Sequence, residues 1–155
     1  MKQTKLKTFA VVSACMMGML SSSAQGVMQR TANYYPDGRG FSCVNGNNRY
    51  TRALYGSVDE WRLETSDRPI FAIFKKNNHR NIRFVIKCNG EAFQLDSVDY
   101  CKARYEAGKR EYLMKDKRWG SGVLKLSVLA YPQTEGAVWK FAAENFGKAK
   151  IEIVG

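Results

Sequence analysis

A chain with one histidine has few routes to nucleophilic catalysis. That residue, His79, lies in "KKNNHRN", where no serine, cysteine or carboxylate stands at the spacing of a nucleophile and base pair; the polar setting predicts a solvated turn residue. Beyond the leader described below, the cysteines are Cys43, Cys88 and Cys101. An odd number cannot pair fully within one chain, which argues against a disulfide framework. Cys88 and Cys101 fall on strand faces, where cysteine acts as a small buried hydrophobe. There is no CxxC, HxxxH or acidic loop motif, so neither a metal nor a cofactor is expected. "GRGFSCVNG" lacks the helix that would make it a phosphate loop. A glycosidase needs only two carboxylates, and Asp37, Asp59, Glu60, Glu64, Asp67, Asp96 and Asp99 are available. All but Glu64 sit in or beside turn signals, and no spacing couples two of them. No catalytic residue is expected.

Binding needs less. "YYPDGRGFSCVNGNNRYTRALYG" gathers aromatic rings, amides and guanidinium groups in one short span, the mixture that stacks on pyranose rings and holds hydroxyls. Its carbohydrate-contact candidates are Tyr34, Tyr35, Asn45, Asn48, Arg49, Tyr50 and Arg52. The competing reading is that tyrosine and asparagine are common in strands and turns. Alternation places Arg52 on one face with Tyr50 and Leu54, either as a salt bridge to Glu64 or Asp67 at the core edge or as a ligand contact. A second set, Lys75, Lys76, Arg80 and Arg83, surrounds one hairpin in "KKNNHRNIR". It reads as a polyanion contact or as a solvated hairpin tip.

The charge balance bears on partners. The 155 residues carry 25 basic and 14 acidic side chains, a net charge of +11, and such a surface favours acidic polysaccharide, nucleic acid or lipid headgroups. Three of the lysines belong to the first segment, "MKQTKLKTFAVVSACMMGMLSSSA". Its basic start, apolar run from Phe9 to Leu20 and small residues at Ser22 and Ala24 predict a signal peptide over 1–24, followed by one domain over 25–155. The apolar run falls short of the roughly 20 residues that span a bilayer as a helix, so no transmembrane span is expected after cleavage. A lipoprotein reading, with Cys15 acylated, is the rival mode of processing. Either way the protein is exported, to the periplasm or the cell surface.

The elements that must position these residues are strands. In "IRFVIKC" Ile82, Phe84, Ile86 and Cys88 share a face, and in "VLKLSVLAY" Leu124, Leu126, Val128 and Ala130 do, the period of half-buried β-strands. "DEWRLET", "IFAIFKK", "YCKARYE", "REYLMKD", "AVWKFAAEN" and "KAKIEIV" behave alike, and "PDGRG", "NGNN", "TSDRP", "KNNHRN", "CNGE", "EAGKR", "RWGSG" and "YPQTEG" supply turns. "PDG" and "NG" bracket a strand from Phe41 to Val44, with the next strand from Arg49 to Tyr55. "WKFAAENFGKAK" is the most helix-like stretch; its alternation and Gly147 favour a strand through Asn145. The expected fold is all-β, an antiparallel β-sandwich of about ten strands preceded by a signal-peptide helix.

"YYPDGRGFSCVNGNNRYTRALYG", "WRLETSDRPIFAIF" and "GVLKLSVLAYPQTEGAVWKFAAEN" resemble a family of exported Bacteroidetes proteins defined as a domain of unknown function. The similarity runs from about Ala32 to Val154 and is most specific at Asn45, Gly46, Arg49, Arg52, Ala53, Leu54, Tyr55 and Gly56. It implies a β-sandwich at the start of a longer protein that continues into an (α/α) six-hairpin barrel like those of glycoside hydrolases, with a role in polysaccharide metabolism. It carries no residue role onto this sequence. Since six-hairpin enzymes generally keep their catalytic acids in the barrel, the resemblance implies a non-catalytic accessory sandwich, with polysaccharide as partner and the helical barrel expected in cis. The alternative is a small basic exported enzyme or binder acting on acidic polysaccharide or nucleic acid; no motif specifies nucleic-acid binding. "KAKIEIVG" closes the chain on an alternating strand, from which a truncated product with uncovered apolar surface and marginal solubility is expected.

Overall fold

The computed structural model describes residues 34–155 except 48, 56–59, 77 and 132. The expected leader helix and Asn48 lie outside the described residues. The chain runs through β1 (Tyr34–Asp37), β2 (Gly40–Val44), β3 (Tyr50–Tyr55), β4 (Trp61–Ser66), β5 (Ile70–Lys75), β6 (Asn78–Arg83) and β7 (Val85–Cys88). It continues through β8 (Glu91–Gln94), β9 (Tyr100–Glu106), β10 (Lys109–Lys115), β11 (Val123–Ala130), β12 (Ala137–Glu144) and β13 (Ile151–Val154), with short 3-10 turns at Leu95–Ser97 and Lys117–Trp119. All the pairings are antiparallel, as the alternation requires.

A six-stranded sheet in the order β1-β2-β9-β10-β11-β12 forms one layer of a β-sandwich. The other layer is divided between a four-stranded sheet, β3-β4-β5-β6, and a three-stranded sheet, β13-β7-β8. One core unites them: Leu54, Leu63 and Phe71 from the four-stranded sheet and Ile86 and Cys88 from the three-stranded one meet Cys101, Tyr112, Leu124, Leu126 and Val128 from the six-stranded one. Aromatic edges weld the layers, because Phe71 packs at 5.8 Å on both Tyr112 and Trp139, and Phe84 at 5.2 Å on Phe141.

The described residues hold thirteen strands where about ten are expected, for three local reasons. The pairing of β1 with β2 gives Tyr34–Asp37 a strand that its short sequence does not signal. The Asn89-Gly90 pair, with φ of 50° and 90°, closes a two-residue hairpin that brings in β8. "IRFVIKC" is divided: its alternation persists, but at Phe84 the chain leaves the four-stranded sheet for the three-stranded one, and the Phe84 carbonyl is taken by the Leu95 amide at 2.8 Å. "KNNHRN" is a turn only at its start, where Lys76 has a φ of 51° and Lys75 pairs with Asn78. Its second half is β6, and His79 stands on a strand, exposed and stacked on Phe74 at 5.7 Å. The strand through "AVWKFAAEN" is present as β12, and it ends where Asn145 takes a positive φ.

Asp116 locks one end of the sandwich. Its carboxylate accepts from the Arg118 side chain (Nε and Nη2, both 2.6 Å), from the Arg118 amide at 3.0 Å and from the Asp99 amide at 3.1 Å. The Arg118 guanidinium in turn lies 3.2 Å from the centre of the Phe93 ring. Burial alone would raise the Asp116 carboxyl, but these donors outweigh it and hold it below the usual carboxylate range. A carboxylate depressed in the folded state contributes stability above its unfolded pKa of about 3.9, and loses it as pH falls through the folded value. Urea midpoints should therefore decline below about pH 4, and D116N should flatten that decline while lowering the midpoint at neutral pH.

Cys43, Cys88 and Cys101 are free and buried, and burial pushes the Cys101 thiol up to about 12. Thiolate is the reactive form. An aromatic disulfide reagent should leave all three unlabelled in the native protein and label them on unfolding; rapid native labelling would contradict the packing.

Candidate functional site

The stretch from Tyr34 to Gly56 is where the two layers are fastened. Asn45 has φ 49°, and the "NG" it begins turns no hairpin. It carries the chain from β2 in one layer to β3 in the other, while the Asn45 amide donates to the Cys101 carbonyl and its Oδ1 accepts from the Cys101 amide, both at 2.8 Å. Gly46 lies so close to Asp67 that a Cβ would stand 2.3 Å from the Asp67 Cβ. Asp67 accepts from the hydroxyls of Thr51, at 2.8 Å, and of Tyr34, and its amide donates to the Arg49 carbonyl. Burial raises the Tyr34 phenol above its usual range, against the pull of Arg110.

Arg110 completes this cluster. With 0% of its side chain exposed, its Nη2 donates to the Ser66 carbonyl at 2.9 Å and to the Tyr34 hydroxyl at 3.0 Å, and lies 3.4 Å from Asp67 Oδ1. Tyr112 donates to the same Ser66 carbonyl at 2.8 Å. The six-stranded sheet thus grips the β4–β5 turn by a buried ion pair. Alternation in "KREYLM" sets Arg110 on the face of Tyr112 and Met114, and that was the available signal for it.

The other sugar-contact candidates do not converge. Tyr35 is exposed on the opposite face of β1, with the Lys102 ammonium 5.9 Å from its ring centre. Tyr50 reaches the Phe71 carbonyl and the Asn81 side chain, and Arg49 is exposed between strands. Arg52 meets neither of its expected carboxylates: it lies over the Tyr34 and Tyr105 rings and donates to the Thr51 carbonyl, while Glu64 pairs with Arg62. The hairpin cations are dispersed too. Lys75 pairs with Glu135 and Lys76 with Glu60, and the register puts Arg80 opposite Ile73 on one face and Arg83 opposite Ile70 on the other.

A concave site lies instead on the outer face of the six-stranded sheet. A depression of about 220 Å³ is lined by Lys102, Arg104, Glu111, Leu113, Lys125 and Ser127, smaller than the roughly 300 Å³ of a pocket that encloses its ligand. Its polar groups are held in place. Arg104 Nη1 lies 2.8 Å from Glu106 and 3.2 Å from Glu111, and its Nη2 donates to the Asp37 carbonyl. Lys102 binds Asp37 at 2.9 Å and Lys125 binds Glu144 at 2.7 Å. The Ser42 hydroxyl and Lys102 hold the Asp37 carboxyl below its usual range, and Arg104 does the same for Glu106. Such carboxylates accept hydrogen bonds and give up no proton near neutral pH.

A domain of unknown function, DUF4450, is found at residues 78–154. No curated protein and no solved structure is matched. The DUF4450 segment takes in β6 to β13, and with them every residue lining the depression, but not the Tyr34 to Gly56 stretch on which the sequence resemblance was most specific. Among the described residues no group of three potential metal ligands is found, and no helix is long and apolar enough to cross a membrane.

Removing one partner of a buried pair costs about 3–5 kcal/mol, because the other charge is left stranded. Arg110→Ala should lose that much in urea unfolding, and Gly46→Ala should also destabilise, by driving the Asp67 carboxylate off its partners. The double variant Arg110→Ala, Asp67→Ala should cost clearly less than the sum of the two single losses; additive losses would show that the pair is not coupled.

Proposed function

We propose that this chain is a non-catalytic accessory β-sandwich of an exported Bacteroidetes protein active on carbohydrate, a module that holds polysaccharide outside the cytoplasm while a helical barrel in the same protein performs the chemistry. The carboxylates paired with the cations of the depression carry this reading. A glycosidase needs one carboxyl kept protonated, by a raised pKa, to protonate the leaving group. Here Asp37 and Glu106 are driven the other way by Lys102, Ser42 and Arg104, and Glu111 is bracketed by Arg104 and Lys109 at 3.2 and 3.0 Å. Fixed acceptors and donors around a shallow depression suit the hydroxyls of a bound sugar. The resemblance to exported sandwiches that precede a glycoside-hydrolase-like barrel, and the DUF4450 match at 78–154, point the same way.

Incubating the purified protein with a panel of plant and host polysaccharides tests the proposal. Retardation in affinity gels without release of reducing ends is the expected result. Release of product would replace it with an enzyme acting on acidic polysaccharide, and cleavage or tight retention of nucleic acid with a nuclease or nucleic-acid binder.

A further inference from the structure

The register of the six-stranded sheet aligns side chains from distant parts of the chain. Across the strands on the outer face, Tyr35 stands beside Ser42, Ser42 beside Arg104, Arg104 beside Glu111, Glu111 beside Ser127 and Ser127 beside Lys140. A parallel row next to it holds Val44, Lys102, Leu113, Lys125 and Ala142. The six strands make the first row about 24 Å long at the usual interstrand spacing. Small residues in both rows keep it low, and the depression at Lys102, Arg104, Glu111, Lys125 and Ser127 lies along it.

We infer that this trough binds an extended acidic polysaccharide, a uronate-bearing glycan laid across the strands; the inference rests on the accessory-module reading and names its site and ligand class. Lys102, Arg104, Lys125 and Lys140 set four cations in the two rows against one acid, Glu111. The acids that tether the cations, Asp37, Glu106 and Glu144, stand outside the depression. Tethering orients the cations without burying them: the Lys102 and Lys125 side chains remain 32% and 46% exposed. Leu113 offers an apolar patch to a sugar face, and Ser127 and Glu111 offer partners to hydroxyls. The scarcity of stacking platforms separates this class from nucleic acid. The row has one aromatic ring, Tyr35 at its end, where a single-strand binder needs a series of stacking platforms.

The test uses the protein after leader removal, with polygalacturonate as the acidic probe, fully methyl-esterified pectin as its neutral counterpart and a single-stranded oligonucleotide, all at one salt concentration. Polygalacturonate should bind and the ester and oligonucleotide should not. Ser127→Tyr, which fills the trough, and Lys125→Glu should each weaken binding by about tenfold or more, the effect of losing a charge-assisted contact, whereas Lys76→Ala at the hairpin should not. Acetylation footprinting of the unmodified protein supplies a measurement independent of variant folding: bound polygalacturonate should protect Lys102, Lys125 and Lys140 but not Lys87 or Lys148. Binding of polygalacturonate with no protection at the trough, or with unchanged affinity in both variants, overturns the site and leaves the accessory module standing. Equal binding of the ester or the oligonucleotide overturns the ligand class. Failure of every glycan to bind overturns both.

Discussion

The buried contact between Arg110 and Asp67 is the constraint on which the sandwich depends. A guanidinium with no exposed surface needs its charge matched. Here the matching group comes from the β4–β5 turn of the opposite layer: Arg110 Nη2 is received by Asp67, the Ser66 carbonyl and the Tyr34 hydroxyl, and Thr51 holds the same carboxylate, while Nε and Nη1 meet no acceptor among the described residues. Apolar contacts between layers are tolerant of sliding; a directional ion pair with shared hydroxyls is not. The Arg68 side chain extends the same fastening, donating to the Gly46, Asp96 and Val98 carbonyls. Two consecutive residues of one turn therefore set the register of three elements distant in sequence.

Fastening the inner face frees the outer one. The layers are held by Arg110, Asp67 and the aromatic edges of Phe71 and Phe84, and most side chains on the outer face of the six-stranded sheet stay open to solvent. They form an ion-paired network in which Arg104 touches Asp37, Glu106 and Glu111. The pairs on such a surface are worth little to stability. Their effect is geometric: each cation is kept in one place at modest cost.

The tyrosines and asparagines of the Tyr34 to Gly56 stretch show what composition leaves open about a site. Their chemistry suits sugar, yet Tyr34 and Asn45 spend their hydrogen bonds on Asp67, Thr51 and Cys101, and Arg52 lies over two rings. A side chain's capacity for hydrogen bonding is visible in its type. What consumes that capacity is a matter of neighbours.

Alternation, being a property of consecutive residues, was enough to read the strand class of the fold. It put Leu124, Leu126 and Val128 on one face of a strand, the face that the structure buries. The positive φ at Gly38 and Asn45 was likewise local and legible, though not that Asn45 crosses between layers instead of turning a hairpin. Period-two patterning says which residues of a strand share a face, but not which strand lies beside it. The division of "IRFVIKC" between two sheets, the pairing that creates β1, the burial of Arg110 against Asp67 and the row from Tyr35 to Lys140 all depend on contacts between residues tens of positions apart. Those contacts are set by the summed packing of one core and by the matching of one buried charge, and only the tertiary structure decides them.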